Sequence, residues 1–179
     1  MSTQAIVKMG SKQLGIPSTP LIDFNPIHAH PEIVTLLQNM RDTMEEKGGV
    51  GITAPQVGCN KRIIMLGFEK SKRYPNAKPV PFTVLINPSY KVISDEMVDG
   101  WEGCLSLPCL RGLVSRYKKI EYSGYDAQGN FITGIAEGFH ARIIQHECDH
   151  LDGILFTYRL KDLHEFGYED ELGPRIFNY

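Results

Sequence analysis

Residues 138–153 read Gly138-Phe139-His140-Ala141-Arg142-Ile143-Ile144-Gln145-His146-Glu147-Cys148-Asp149-His150-Leu151-Asp152-Gly153, and the rest of the chain is best understood outward from this stretch. Phe139, Ile143, His146, Glu147 and His150 fall at helical spacing. With Gly138 ahead of the run and Asp152-Gly153 as a stop, the spacing predicts a helix over Phe139–Leu151. Inside it lies His-Glu-x-x-His. Side chains four apart on a helix leave from one side, so His146 and His150 can take two corners of a metal while Glu147 stands beside the coordinated water as a base. A solvated helix face with an i, i+4 pair uses the same residue types. A third ligand separates the two readings, because a catalytic zinc or iron usually takes three protein groups and keeps one position open.

Downstream, Glu165, Glu169 and Glu171 are on offer, the last two in an acidic, loop-like tail around residues 168–174. The longer pattern with a third His fails, since Phe156 stands at that position. Upstream, Trp101-Glu102-Gly103-Cys104-Leu105-Ser106-Leu107-Pro108 sets a Cys after a Gly in a tight segment between two strand-like runs, a better place to present a thiolate.

Further out, residues 31–47 read as an amphipathic helix with Ile33, Leu36, Leu37, Met40 and Met44 on one face, ended by Gly48-Gly49. Residues 62–68, 82–86, 90–94, 118–125 and 131–137 have the β-branched and aromatic content of strands. Turns are expected at Asn87-Pro88 and Gln128-Gly129-Asn130, and 70–81, with three prolines, reads as a surface loop. Strands follow one another and the motif helix comes late, with no βαβ alternation. The expected fold class is therefore α+β: antiparallel β-strands packed around a C-terminal motif helix, with an N-terminal helix.

Three ordered segments resemble the peptide deformylase family: Gly49-Val50-Gly51-Ile52-Thr53-Ala54-Pro55-Gln56, then Glu102-Gly103-Cys104-Leu105-Ser106, then Gln145 to Leu151. The family pattern has Leu and Ala where Ile52 and Thr53 stand, and the likeness runs from about residue 31 to 160. It implies an enzyme that removes the formyl group from N-formylmethionine at the start of new polypeptides. It also implies Cys104, His146 and His150 as ligands of one ion, Fe²⁺ with Zn²⁺ as the alternative, since a thiolate with two imidazoles suits both. Glu147 would be the acid/base residue. The side-chain amide of Gln56 and the backbone N–H of Leu105 would be donors to the oxyanion. Gly51 would let the peptide backbone come close.

By the same resemblance Val50, Phe139, Ile143 and the carbon atoms of His146 line a methionine pocket. Arg142 sits at its rim, with its stem over the substrate and its guanidinium in water. Glu102 and Arg116 pair near the Cys segment, and Arg111 helps to hold the substrate. Ser115 replaces a Pro that is common in the family. The partners implied are formyl-Met nascent peptides, with transient ribosome association. The acidic end of this chain, including Asp162, Glu165, Glu169, Asp170 and Glu171, argues against docking through a basic terminal helix.

Composition supports the same picture. The 179 residues suffice for one catalytic domain spanning 1–179 with an acidic tail from about 161. A net charge of −2 leaves no basic footprint for nucleic acid, and no apolar run reaches membrane-spanning length. The segment 1–17 has neither a secretory apolar block nor an Arg-rich transit pattern, so a cytoplasmic location is expected. Cys59, Cys104, Cys109 and Cys148 show no framework spacing and are expected as thiols; Cys148 is expected to be packed, and Cys109 is the one placed to oxidise. Tyr168, Phe177 and Tyr179 either fold back on the chain or meet another subunit.

Overall fold

Alternation along one strand organises the interior. In β2 (Ile63–Phe68), Ile63 and Met65 point to one side, while Ile64 and Leu66 point to the other, as side chains on a strand must. The first pair meets α1 (Pro31–Glu46) through Ile33, Leu37, Met40 and Met44. The second pair meets α2 (Phe139–Leu151) through Ala141, Ile144, Cys148 and Leu151. The sheet is thus held between two helices, each bringing an apolar stripe. A computed structural model describes residues 3–177; Tyr179 lies outside the described residues.

All named strand pairings are antiparallel. β1 (Gly51–Thr53) pairs with β2, β2 with β3 (Val80–Cys104), β3 with β4 (Leu107–Tyr125), and β4 with β5 (Phe131–Glu137). A short β6 (Phe166–Tyr168) adds to β4 at Leu110–Gly112. The fold is mixed α+β, with an antiparallel sheet and the motif helix buried against it. No helix among the described residues is long and apolar enough to cross a membrane.

The strand expectations need three corrections. Segments 82–86 and 90–94 belong to one strand, β3, and Asn87-Pro88 is a bulge within it, where the register jumps between Ile86 and Ser89 and Asn87 has φ 51°. Segment 118–125 is the far half of β4. Trp101 to Cys104 is the end of β3 itself, so the tight turn is only Leu105-Ser106, between the paired Cys104 and Leu107. The acidic tail is not a loop: β6 leads into α3 (Glu169–Leu172), and Leu172 and Ile176 pack on Trp101. Leu172 and Ile176 carry this fold-back, whereas Tyr168 and Phe177, expected to fold back or meet another subunit, are exposed.

Candidate active site

The β3–β4 hairpin brings Cys104 to the inner face of α2. Gln145 locks the two elements together: its Oε1 accepts from the Tyr117 N–H at 3.1 Å, and its Nε2 donates to the Tyr117 carbonyl at 2.8 Å. All the side chains from Ala141 to Leu151 are buried, so the polar ones must find partners.

His146 does so through Nδ1, 2.8 Å from Glu102 Oε2, which leaves Nε2 for another task. His150 Nε2 lies 3.1 Å from Cys104 Sγ. The donor atoms of Cys104, His146 and His150 all lie within 4.8 Å of one another, and all three residues are buried. Two further donors face the sulfur, Gln56 Nε2 and the Ser106 N–H, each at 3.4 Å. Burial pushes the Cys104 thiol up, but the charge and hydrogen bonds of His150 and His146 outweigh it and hold the thiol well below its ordinary value. A buried thiolate against two imidazoles, one fixed by a carboxylate, is a donor set that fits zinc or ferrous iron.

Glu147 is the group beside this cluster. Burial raises its carboxyl to about 7, against lowering by the neighbouring imidazoles. Its Oε2 is buried without a hydrogen-bond partner. A side chain at residue 51 would meet it head on, since a Cβ built there falls 2.2 Å from Glu147 Oε1. The glycine leaves room for a backbone to approach the carboxylate.

Behind the cluster lies a buried ion network. Glu102 takes Arg116 bidentately, Nε at 2.8 Å and Nη2 at 2.9 Å, and also Arg142 Nη1 at 2.9 Å. Burial favours its protonation, but the Arg116 charge holds it well below the usual carboxylate range. Arg116 also donates from Nη1 to Asp149, which accepts from Arg159 through Nη2 at 2.7 Å and Nε at 3.1 Å. The expected pairing of Glu102 with Arg116 is present, and Asp149 and Arg159 enlarge it.

One expectation about the arginines fails. Arg142 lines the site, but its guanidinium is not in water: it is 5% exposed, donates to Glu102 and caps the carbonyls of Gly100 and Val114 from Nη1 and of Val98 from Nη2. Arg111, expected to help hold the substrate, packs behind the pocket-lining Gly103 and Tyr74. It is buried, with Nε donating to Glu169 Oε1 at 3.0 Å, Nη2 to the Arg73 carbonyl at 3.3 Å, and Cζ 4.6 Å over the Tyr74 ring.

Gln56, Leu105, Gly51, Val50, Phe139, Ile143, Glu102, Cys104, His146 and Glu147 line one pocket. Gln56 is oriented from behind, its Oε1 accepting from the Thr53 N–H at 2.9 Å and Thr53 Oγ1 at 3.3 Å. Thr53, where the family has Ala, therefore has its hydroxyl satisfied. Tyr74 and Arg73, in the segment expected as a surface loop, also line the pocket. The only local signal for Tyr74 is a lone aromatic before Pro75 among polar residues.

A family model described as polypeptide deformylase matches residues 3–166. The chain belongs to the polypeptide deformylase family. Deformylases are metal-dependent hydrolases that remove the N-formyl group from new polypeptides. Peptide deformylase 2 of Ralstonia nicotianae is 48% identical over 171 residues, covering 96% of this chain and 94% of the relative. Peptide deformylase 1 of Bordetella pertussis is 49% identical over 172 residues, covering 96% of each. Among solved structures, the Met-Ala-Ser-bound class I type b peptide deformylase of Acinetobacter baumannii superimposes with a TM-score of 0.84. It is 38% identical and covers 89% of this deformylase chain and 100% of the other.

Proposed function

We propose that this deformylase acts on formyl-Met nascent peptides with Cys104, His146 and His150 holding one ferrous ion, zinc being the alternative, and Glu147 moving the proton. The observation that carries this reading is the convergence of the three donors beside a carboxyl that burial has raised to about 7. When bound, the ion acidifies a water and polarises the formyl oxygen. Glu147 accepts the proton of the water whose oxygen adds to the formyl carbon. As the carbon–nitrogen bond breaks, it passes that proton to the departing amine, leaving formate and a free N-terminus. A carboxyl near neutrality serves both halves of this exchange.

Charge building on the formyl oxygen requires donors fixed in advance. Gln56 Nε2 is one, aimed by Thr53; the backbone N–H of Leu105 in the hairpin turn is the other. Val50, Phe139 and Ile143 supply an apolar wall for the methionine side chain, and Gly51 lets the peptide backbone pass Glu147. The tripeptide Met-Ala-Ser held by the A. baumannii relative is of the product type this reaction releases. Arg111 is better read as a support of the pocket wall than as a direct substrate contact. We read residues 1–179 as one catalytic domain working in the cytoplasm, with transient ribosome association that does not use a basic terminal helix.

The test is formate release from formyl-Met-Ala-Ser by metal-loaded protein, beside metal analysis of protein purified without oxygen. Wild type should release formate, and Glu147→Gln should lose about 10²–10⁴-fold in turnover with metal content unchanged. Full activity in Glu147→Gln, or internal cleavage of an unformylated peptide by wild type, would overturn the reading.

A further inference from the structure

Between residues 69 and 79 one side chain is buried, that of Tyr74, and it is 5% exposed in an otherwise half-buried or exposed segment. Such a segment pays for ordering an aromatic ring only if that ring gains contacts. Tyr74 gains them on three sides. Its ring lies 4.7 Å from that of Phe139 on the motif helix, and the Arg111 guanidinium covers it at 4.6 Å. Its hydroxyl accepts from the Gly103 N–H at 3.1 Å, one residue before Cys104. The segment is folded to deliver it: the Tyr74 N–H donates to Ser71 Oγ at 3.2 Å, and the Tyr74 carbonyl accepts from Ala77 at 3.2 Å.

Tyr74 also lines the pocket that Val50, Phe139 and Ile143 line. We propose that Tyr74 is a specificity-determining residue, its ring forming a wall of the pocket for the first side chain of the peptide and its hydroxyl tying that wall to the Cys104 hairpin. An unbranched methionine side chain fits beside the ring, whereas a wider aromatic first residue meets it. A buried wall of this kind discriminates by exclusion, and its removal opens volume that the wider side chain can fill.

This inference rests on the deformylase reading, which is tested first and separately: wild type releasing no formate from formyl-Met-Ala-Ser ends that reading before any variant is compared. The experiment then measures kcat/KM of metal-loaded wild type, Tyr74→Ala and Tyr74→Phe on formyl-Met-Ala-Ser and formyl-Phe-Ala-Ser. In Tyr74→Ala the ratio of formyl-Phe to formyl-Met should rise by about tenfold or more, the scale set by small changes in pocket volume. In Tyr74→Phe, which keeps the ring, the ratio should stay within about threefold of wild type. A purely structural role would lower both substrates together and leave the ratio alone. An unchanged ratio in a Tyr74→Ala protein that unfolds cooperatively overturns the proposal; where that variant does not fold, Tyr74→Leu decides on the same criterion.

Discussion

Arg142 illustrates at the scale of one residue how a site is held from behind. Its guanidinium gives Glu102 a second cation and satisfies three carbonyls, those of Val98, Gly100 and Val114. It lies so close to the backbone that a Cβ at residue 100 would fall 2.7 Å from Nη2. Removing one partner from a buried charge network costs about 3–5 kcal/mol. Arg142→Ala is therefore expected to act mainly on stability, by roughly that amount in denaturant unfolding. Gly100→Ala should also destabilise, and adding it to Arg142→Ala should cost less than it does in wild type, since the clash is then gone. Fully additive effects would sink this account. The shared helix face of His146 and His150 was legible in the sequence from local geometry, whereas Cys104, 42 residues before His146, was brought to them as the third ligand by the family resemblance. The burial of Arg142 was not legible, because its partners lie 28 to 44 residues away along the chain.

At the scale of elements, the β4–β5 connection was read correctly from Gln128-Gly129-Asn130, and Asp126 explains why it forms. Asp126 Oδ1 accepts from the N–H groups of Gln128 at 2.8 Å and Asn130 at 2.9 Å, an Asx-type closure, with Gly129 at φ 85°. Slight burial favours protonation of Asp126, but these N–H bonds outweigh it and lower its pKa from 3.8. A depressed carboxylate stabilises the fold above its unfolded pKa and loses that contribution as pH falls through the folded value. Asp126→Ala should thus lower the melting temperature at pH 7 by a few degrees, about 1 kcal/mol or less at so exposed a site. The gap to wild type should close well below pH 3.8. A gap constant across that range would mean that the carboxylate charge is irrelevant to the turn. Asn87-Pro88 misled for a related reason. Pro88 lacks an N–H and sits where the β3 register jumps, while Asn87 exchanges side-chain hydrogen bonds with Leu21 at 2.9 Å in both directions. A polar side chain pairing with a distant segment keeps the strand running where local signals call for a turn.

The whole molecule is closed by a contact that no local pattern reports. The tail's acidic composition suggests a solvated end, yet Leu172 and Ile176 bury themselves on Trp101, and Arg175 lies 5.3 Å over its ring. β6 adds to β4 beside them, and Glu169 meets Arg111. The sequence could not reveal this, since a few apolar residues among acids gain a partner only once the β3–β4 hairpin exists. The consequence for the site is direct, because Trp101 precedes Glu102, which orients His146. Trp101 is also the chain's single tryptophan, so its fluorescence reports the seating of the tail. Leu172→Ala combined with Ile176→Ala removes both apolar anchors and should cost about 2–5 kcal/mol in unfolding free energy, toward the low end for so shallow a cluster. Emission should shift to the red as water reaches the indole. Metal should also be retained less well in chelator competition, by up to about tenfold, the lower end of what disturbed ligand-orienting partners cost. Emission and unfolding both unchanged would mean that the tail does not cover Trp101 in solution. A red shift with undiminished metal retention would instead show that the hairpin holds Glu102 in place without help from the tail.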